Sequence, residues 1–262
     1  MVVKNLALIF KYLKLNIQKE YQYKTSFYTQ IIMMILNNAF FILQWVIIFN
    51  VTDTIGNYGF EEVMLLWALS AGSYGIAHLF FAGAFEIGEL VYEGKLDVYL
   101  TQPKNVLINL ICSKTSISAI GDIIYTFIAL AIAGASWWWY LAIIPIMIIG
   151  AIIYATVIIC FQTLSFYIKK GTSVADTINH ATVMFANYPP VIFNIGIKVL
   201  LFTVVPCGFM VFVPAEHILL NLDVLWILAY VGFATITTIL AFVLFKLGLK
   251  RYNSGNLMGG RL

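Results

Sequence analysis

The sequence predicts an all-α, polytopic membrane protein. A single domain over residues 1–262 carries six transmembrane helices, an N-terminal interfacial helix, and a re-entrant or interfacial hairpin between spans five and six. Three observations lead there. Hydrophobic residues make up 62% of the 262 residues and charged residues 10%, with a mean hydropathy of +0.93. A soluble domain carries about 25% charge, so the bilayer must be the solvent for this much apolar surface. The apolar residues fall into runs of span length, and the basic residues sort onto alternate connections between them.

The first 24 residues are basic and amphipathic. Leu6, Ile9, Phe10, Leu13 and Ile17 recur at helical spacing, while Lys4, Lys11 and Lys14 fall largely elsewhere. That pattern suits a helix lying in one membrane leaflet, the alternative being a disordered basic tail. It has no short apolar core with a small-residue cleavage site, so it is not a signal peptide. The first span covers about 27–49 and the second about 63–85. At ~1.5 Å per residue each crosses a ~30 Å hydrocarbon core with some tilt. The third runs from about 106 to 133 and the fourth from about 140 to 168. They are divided by Gly134-Ala135-Ser136 and the aromatic group Trp137 to Tyr140, which marks an interface crossing. The fifth starts near Ala175 and ends at Tyr188-Pro189-Pro190. Residues 191–223 are apolar but interrupted by Lys198, Pro206, Gly208 and Pro214, which fits a hairpin that enters and leaves on one side. Two further full spans are the alternative, although the prolines leave pieces too short to cross. The sixth span is about 224–247.

Charge then orients the chain. Lysines 4, 11, 14, 19 and 24, then 95, 104 and 114, then 169 and 170, and finally Lys246, Lys250, Arg251 and Arg261 share one side: 14 of 15 basic residues, with Lys198 the exception. The opposite connections hold Asp53, Glu61, Glu62, Glu216 and Asp223. The positive-inside rule puts both termini in the cytoplasm, and the missing cleaved segment favours a bacterial inner (plasma) membrane.

Catalytic signatures are missing from the sequence. A phosphate-binding loop ending at Gly94-Lys95 would need glycine where Glu89 stands, and no GxSxG or HExxH spacing occurs. His78, His180 and His217 fall in different segments, and Cys112, Cys160 and Cys207 lie in apolar runs without metal-ligand spacing. Hence no enzyme activity, metal or cofactor is expected of this chain. No basic patch interleaved with aromatics points to nucleic acid. Asp122 is the one acidic residue well inside an apolar run; a structural, hydrogen-bonded carboxylate and a transport-path group are both open, with His78 as a second interior polar candidate. Gln44, Gln162, Asn37 and Asn38 are polar residues suited to joining helices. The near-absence of charge in the spans favours a hydrophobic or amphipathic substrate.

The most informative stretch is 93–105, Glu-Gly-Lys-Leu-Asp-Val-Tyr-Leu-Thr-Gln-Pro-Lys-Asn, a charged island between apolar runs. Glu86, Glu89 and Glu93 extend span two as a helix with three carboxylates on one face, and Gly94 can break it. Lys95 to Leu100 fits a short second helix stopped by Pro103, with Leu96, Tyr99 and Leu100 as an apolar edge beside Lys95 and Asp97. Such a helix suits a groove in a partner, or else lies flat on the membrane.

At this island the chain resembles the ABC-2-type exporter permeases, in the branch with a G-x-L-D-x-x-L-x-x-P loop after span two. Tyr188-Pro189-Pro190-Val191-Ile192-Phe193, with breaks at Pro206 and Pro214, resembles the family's fifth span and outer hairpin. Leu249-Lys250-Arg251-Tyr252-Asn253-Ser254-Gly255 resembles its tail; the doubled proline is a departure. The resemblance implies a permease that pairs with a second permease, itself or a sibling, and with two cytoplasmic ABC ATPase subunits that bind ATP and Mg. It implies that 1–24 is the elbow helix, 86–105 the cytoplasmic coupling loop, and 191–223 the extracellular-side hairpin with Tyr188, Pro189, Pro190, Pro206 and Pro214 at the outer gate. Glu93, Gly94, Lys95, Leu96, Asp97, Tyr99, Leu100 and Pro103 become the ATPase-coupling residues. Export by alternating access is the function implied. An ion-coupled secondary transporter using Asp122, or a membrane scaffold without transport, are the rival readings.

Overall fold

The computed structural model describes residues 2–252, with side chains from Ala7 onward. Of the residues read above, the side chains of Lys4 and Leu6, together with Asn253, Ser254, Gly255 and Arg261, lie outside the described residues. All the regular structure described is helical: α1 (Val2–Tyr21), α2 (Lys24–Phe49) and α3 (Phe60–Phe81), which passes through a 3-10 stretch (Ala82–Glu86) into α4 (Ile87–Tyr92). Then come α5 (Asp97–Leu100), α6 (Val106–Ile111), α7 (Ala119–Ile132), α8 (Trp137–Gln162), α9 (Gly171–Phe185) and α10 (Ile195–Thr203). Two wide π-type turns (Gly208–Phe212 and Pro214–Leu219) lead to α11 (Val224–Leu249).

Four helical stretches among the described residues are long and apolar enough to cross a bilayer: α2, the Phe60–Tyr92 rod, Trp137–Phe166 and α11. A fifth arises if Ile195–Thr203 and Gly208–Leu219, bent by 83° at their junction, count as one span. Helices α7 (14 residues) and α9 (15 residues) are shorter than the expected third and fifth spans. At ~1.5 Å per residue they reach ~21–23 Å against a ~30 Å core.

The expected third span, 106–133, is one run in the sequence and two helices in the structure. Asn105 caps α6 by accepting from the Ile108 N–H at 3.1 Å, and the helix ends at Cys112. Between α6 and α7 the backbone is held by the body of the protein. Ser116 N–H donates to the His78 carbonyl (3.0 Å), Asn16 Nδ2 donates to the Cys112 carbonyl (3.3 Å) and to Thr115 Oγ1 (3.1 Å), and Lys114 pairs with Glu86. Each partner comes from a distant segment, so the break is a tertiary feature.

α3 is the central post. It packs against α7 on one side and α8 on the other, with α11 behind α8 and α2 against α7. Most of α3 is buried, while α2 and α11 are largely exposed on their outer faces, as helices in lipid contact are. Polar side chains tie the layers together: Tyr230 O–H donates to the Ile146 carbonyl (2.8 Å), and Thr156 Oγ1 to Thr237 Oγ1 (3.0 Å). Between α7 and α8, Gly134 takes a left-handed φ of +63°. Ala135 N–H returns to the Leu130 carbonyl (3.1 Å) and Gly134 N–H to the Ala131 carbonyl (3.2 Å), a Schellman stop.

The connections collect at two ends. At one, Tyr12 of α1 bonds to Asn109 of α6, and Leu96, Leu107, Phe166 and Phe245 share a cluster with Tyr252 against it. At the other, Tyr58 O–H donates to Glu216, Tyr188 stacks edge-on to Trp45 (5.7 Å), and His217 stacks on Trp226 (4.2 Å).

Candidate functional site

The charged island lies at the first of these ends, and its backbone is fixed by local hydrogen bonds. Helix α4 stops at Gly94, whose φ of +71° only glycine adopts without strain. Lys95 N–H returns to the Leu90 carbonyl (2.9 Å) and Gly94 N–H to the Val91 carbonyl (3.3 Å), a second Schellman stop. Beyond it the single turn α5 forms, and exposed Pro103 follows. Lys95 and Glu93 pair at 2.6 Å on the surface, and that carboxylate, through its hydrogen bond, raises the ammonium above its ordinary pKa.

The apolar edge differs from the one expected. Leu96 is 0% exposed and packs among Ala84, Ile87, Val91, Leu107 and Leu110, so it anchors the loop from beneath. Tyr99 is half-buried, donating to Ser113 Oγ at 3.1 Å, and Ser113 Oγ donates to the Leu110 carbonyl at 2.7 Å. The outward apolar surface is Val98 (63% exposed), Leu100 (43%) and Tyr92 (61%), beside exposed Asp97. Sequence reasoning missed Val98, since a four-residue helix has too few turns to declare a face, and Tyr92, which ends α4 and lies outside α5. The acidic stripe is also redistributed: the 3-10 stretch interrupts the helix, Glu86 pairs with Lys114, Glu93 with Lys95, and Glu89 stays exposed.

A hydrogen-bonded chain ties this loop to α1. Tyr12 O–H donates to Asn109 Oδ1, Asn109 Nδ2 to Gln102 Oε1 (2.9 Å), and Gln102 Nε2 to the Val98 carbonyl (3.2 Å). Lys104 sits over the Tyr12 ring at 5.3 Å. The apolar face expected of α1 holds for half-buried Ile9, Leu13 and Ile17; Phe10 is exposed and meets Phe80 edge-on at 6.1 Å. Toward the main body, buried Gln162 bridges the 3-10 break. It accepts from Gly88 N–H (2.9 Å) and donates to the Phe85 carbonyl (2.7 Å), satisfying two backbone groups that the change of helix type frees. Hydrogen bonds thus join the loop to α1, and join its α4 base to α8 and the end of the α3 rod.

Inside the bundle, Asp122 and His78 part company. Asp122 begins α7, is 4% exposed, and accepts from Asn38 Nδ2 at 2.7 Å through Oδ1. It lines a cavity of about 160 Å³ with residues of α2, α3, α8 and α9. His78 is sandwiched between Tyr74 (3.9 Å) and Phe85 (4.1 Å), its Nδ1 3.1 Å from the Tyr74 carbonyl, and does not line that cavity. Asn37 and Gln44, expected to join helices, are exposed on α2, whereas Asn38 and Gln162 do join them.

At the other end, Pro189 is extended and Pro190 opens a 3-10 turn to Ile192, both buried. Pro206 lies at the 83° bend, where its carbonyl accepts from Met210 N–H (2.8 Å), and Pro214 opens the second π-type turn.

The described residues form a multi-pass helical bundle with an interior polar cavity and a charged, partly apolar loop at one end, an architecture of the membrane-protein class. A family model described as an ABC-2 family transporter protein matches residues 31–255, and the chain belongs to that family. It is thus a membrane transporter subunit of an ABC system, a role that associates it with an ABC ATPase partner. No curated protein and no solved structure matches this chain.

Proposed function

We propose that this chain is the permease of an ATP-driven exporter of hydrophobic or amphipathic molecules, and that Tyr92, Val98 and Leu100 form the edge that enters a cleft of the ATPase. The reading counts six spans, α2, α3, α7, α8, α9 and α11, with α1 as the elbow and residues 191–223 as an extracellular-side hairpin. The gathering of the basic segments at one end supports cytoplasmic termini, and the family resemblance supports export, two ATPase subunits and pairing with a second permease. ATP and Mg belong to the ATPase.

The observation that carries the reading is an exposed apolar edge on a loop locked at its base by Leu96, Gly94 and the Tyr99–Ser113 bond. A soft loop would absorb a partner's movement; this one passes it on. Closure of the ATPase pair draws the two loops of a permease pair together. The rod Phe60–Tyr92 then carries the displacement to α7 and α8, shifting the bundle between two packed arrangements.

The test is co-purification in mild detergent with the cognate ATPase subunit. Val98→Asp with Leu100→Asp should abolish capture while the permease stays monodisperse. Full ATPase capture and full transport by this variant would sink the docking role.

A further inference from the structure

The cavity around Asp122 holds more unpartnered polar groups than a structural pocket needs. Asp122 Oδ2, Asn187 Oδ1 and Trp67 Nε1 are buried without a hydrogen-bond partner, and all three residues line the cavity. Asn187 spends its amide N–H on the Val183 carbonyl (2.9 Å), which leaves its oxygen as a pure acceptor. Asn38 meets only Oδ1 of Asp122, and no Lys, Arg or His lines the cavity, so nothing on its walls neutralises that carboxylate. Buried polar groups are costly unless paired, and a carboxylate most of all. Elsewhere the walls carry the hydroxyls of Ser70 and Thr182, and Phe41, Tyr74, Tyr154, Met34 and Met210 supply aromatic faces and soft thioethers suited to a cation with an apolar body. Rim residues Asn37 and Val183 are exposed, so the cavity opens along the seam between α2 and α9.

We infer that this cavity binds a hydrophobic organic ammonium ion carrying at least one N–H, held by Asp122 and Asn187, with Trp67 N–H left for an oxygen acceptor on the same molecule. The inference rests on the permease reading for its biological meaning and names the substrate class. Two unpartnered acceptors, one of them the uncompensated Asp122 carboxylate, and one donor select a protonated amine over an anion, which would meet the Asp122 charge. They select it also over a quaternary ammonium, which has no N–H to give.

The experiment is isothermal titration of the purified permease in lipid nanodiscs without any ATPase, with empty nanodiscs subtracted. The probes are phenethylammonium, its trimethylammonium analogue and propylbenzene. Phenethylammonium should bind at least tenfold more tightly than either comparator. Asp122→Asn, which can still accept from Asn38, should remove that preference while propylbenzene binding is kept, and Asn187→Ala should weaken phenethylammonium several-fold. Equal affinity of the wild-type protein for all three probes would overturn the inference, as would an unchanged preference in Asp122→Asn. If Asp122→Asn does not fold, the wild-type comparison and Asn187→Ala decide. Because no ATPase is present, failure here leaves the docking reading standing, and failure of ATPase capture leaves this result standing.

Discussion

Leu96 and Val98, two residues apart, should behave as opposites. Leu96 is fully buried beneath the loop, and Val98 stands 63% exposed on its outer surface. Truncating a fully buried leucine to alanine costs about 2–5 kcal/mol, through lost transfer energy and the cavity left behind. Truncating an exposed valine changes the free chain by less than about 0.5 kcal/mol. The amides of Tyr99, Leu100 and Thr101 report directly, since they donate to the Leu96 and Asp97 carbonyls at 2.9, 3.1 and 3.2 Å. In Leu96→Ala the lower figure of about 2 kcal/mol corresponds to a roughly 30-fold larger open population of the loop, and to exchange faster by the same factor. Hydrogen exchange by mass spectrometry on nanodisc-embedded protein reads this as lost protection across residues 97–101. Val98→Ala should leave that protection intact while weakening capture of the ATPase. If Leu96→Ala exchanges at the wild-type rate, or Val98→Ala opens the loop as much, the division into anchor and contact is wrong.

Gln162→Leu should lower the thermal unfolding midpoint in detergent, because it strands the Gly88 N–H and Phe85 carbonyl at about 1–3 kcal/mol for each buried group; an unchanged midpoint would refute the bridging role. In Gly83→Ala the new methyl would stand 2.1 Å from the Leu110 carbonyl oxygen, a backbone atom, so α6 must move away from the 3-10 stretch. Buried Cys112, at the end of α6, should then react with maleimide faster than in the wild-type background once Cys160 and Cys207 are replaced by alanine. Equal labelling of the two backgrounds would show that α6 had not shifted.

Helices α2, α8 and α11 could be read from the sequence almost to their ends because lipid imposes one requirement on each: a long unbroken apolar run. The Gly94 stop was legible for a local reason, since a left-handed residue is a property of one position. The break between α6 and α7 was not. Val106 to Ile111 is as apolar as a span, and its separation from α7 depends on Asn16, His78 and Glu86, each far away in the chain. Leu96 was misread for the same reason, its burial being decided by α6 and α11 packing beneath a turn too short to show periodicity. Asp122 stood out in sequence by its cost alone; Asn187 and Trp67 joined it only through the packing of α2, α3, α7 and α9.

The central position of α3 has a consequence for how the protein is made. Among the four long helices it is the least apolar and the most enclosed. It brings Ser70, Ser73 and His78 into the bilayer, and Ser73 and the ring of Trp67 are nearly or wholly shielded from lipid in the finished bundle. α2, α8 and α11 can each partition into lipid on their own apolar surface, whereas α3 gains its shelter from α7 and α8, which leave the ribosome after it. α3 is apolar enough to cross the bilayer alone, yet its polar side chains gain their full shelter only once α7 and α8 have been synthesised and packed around it.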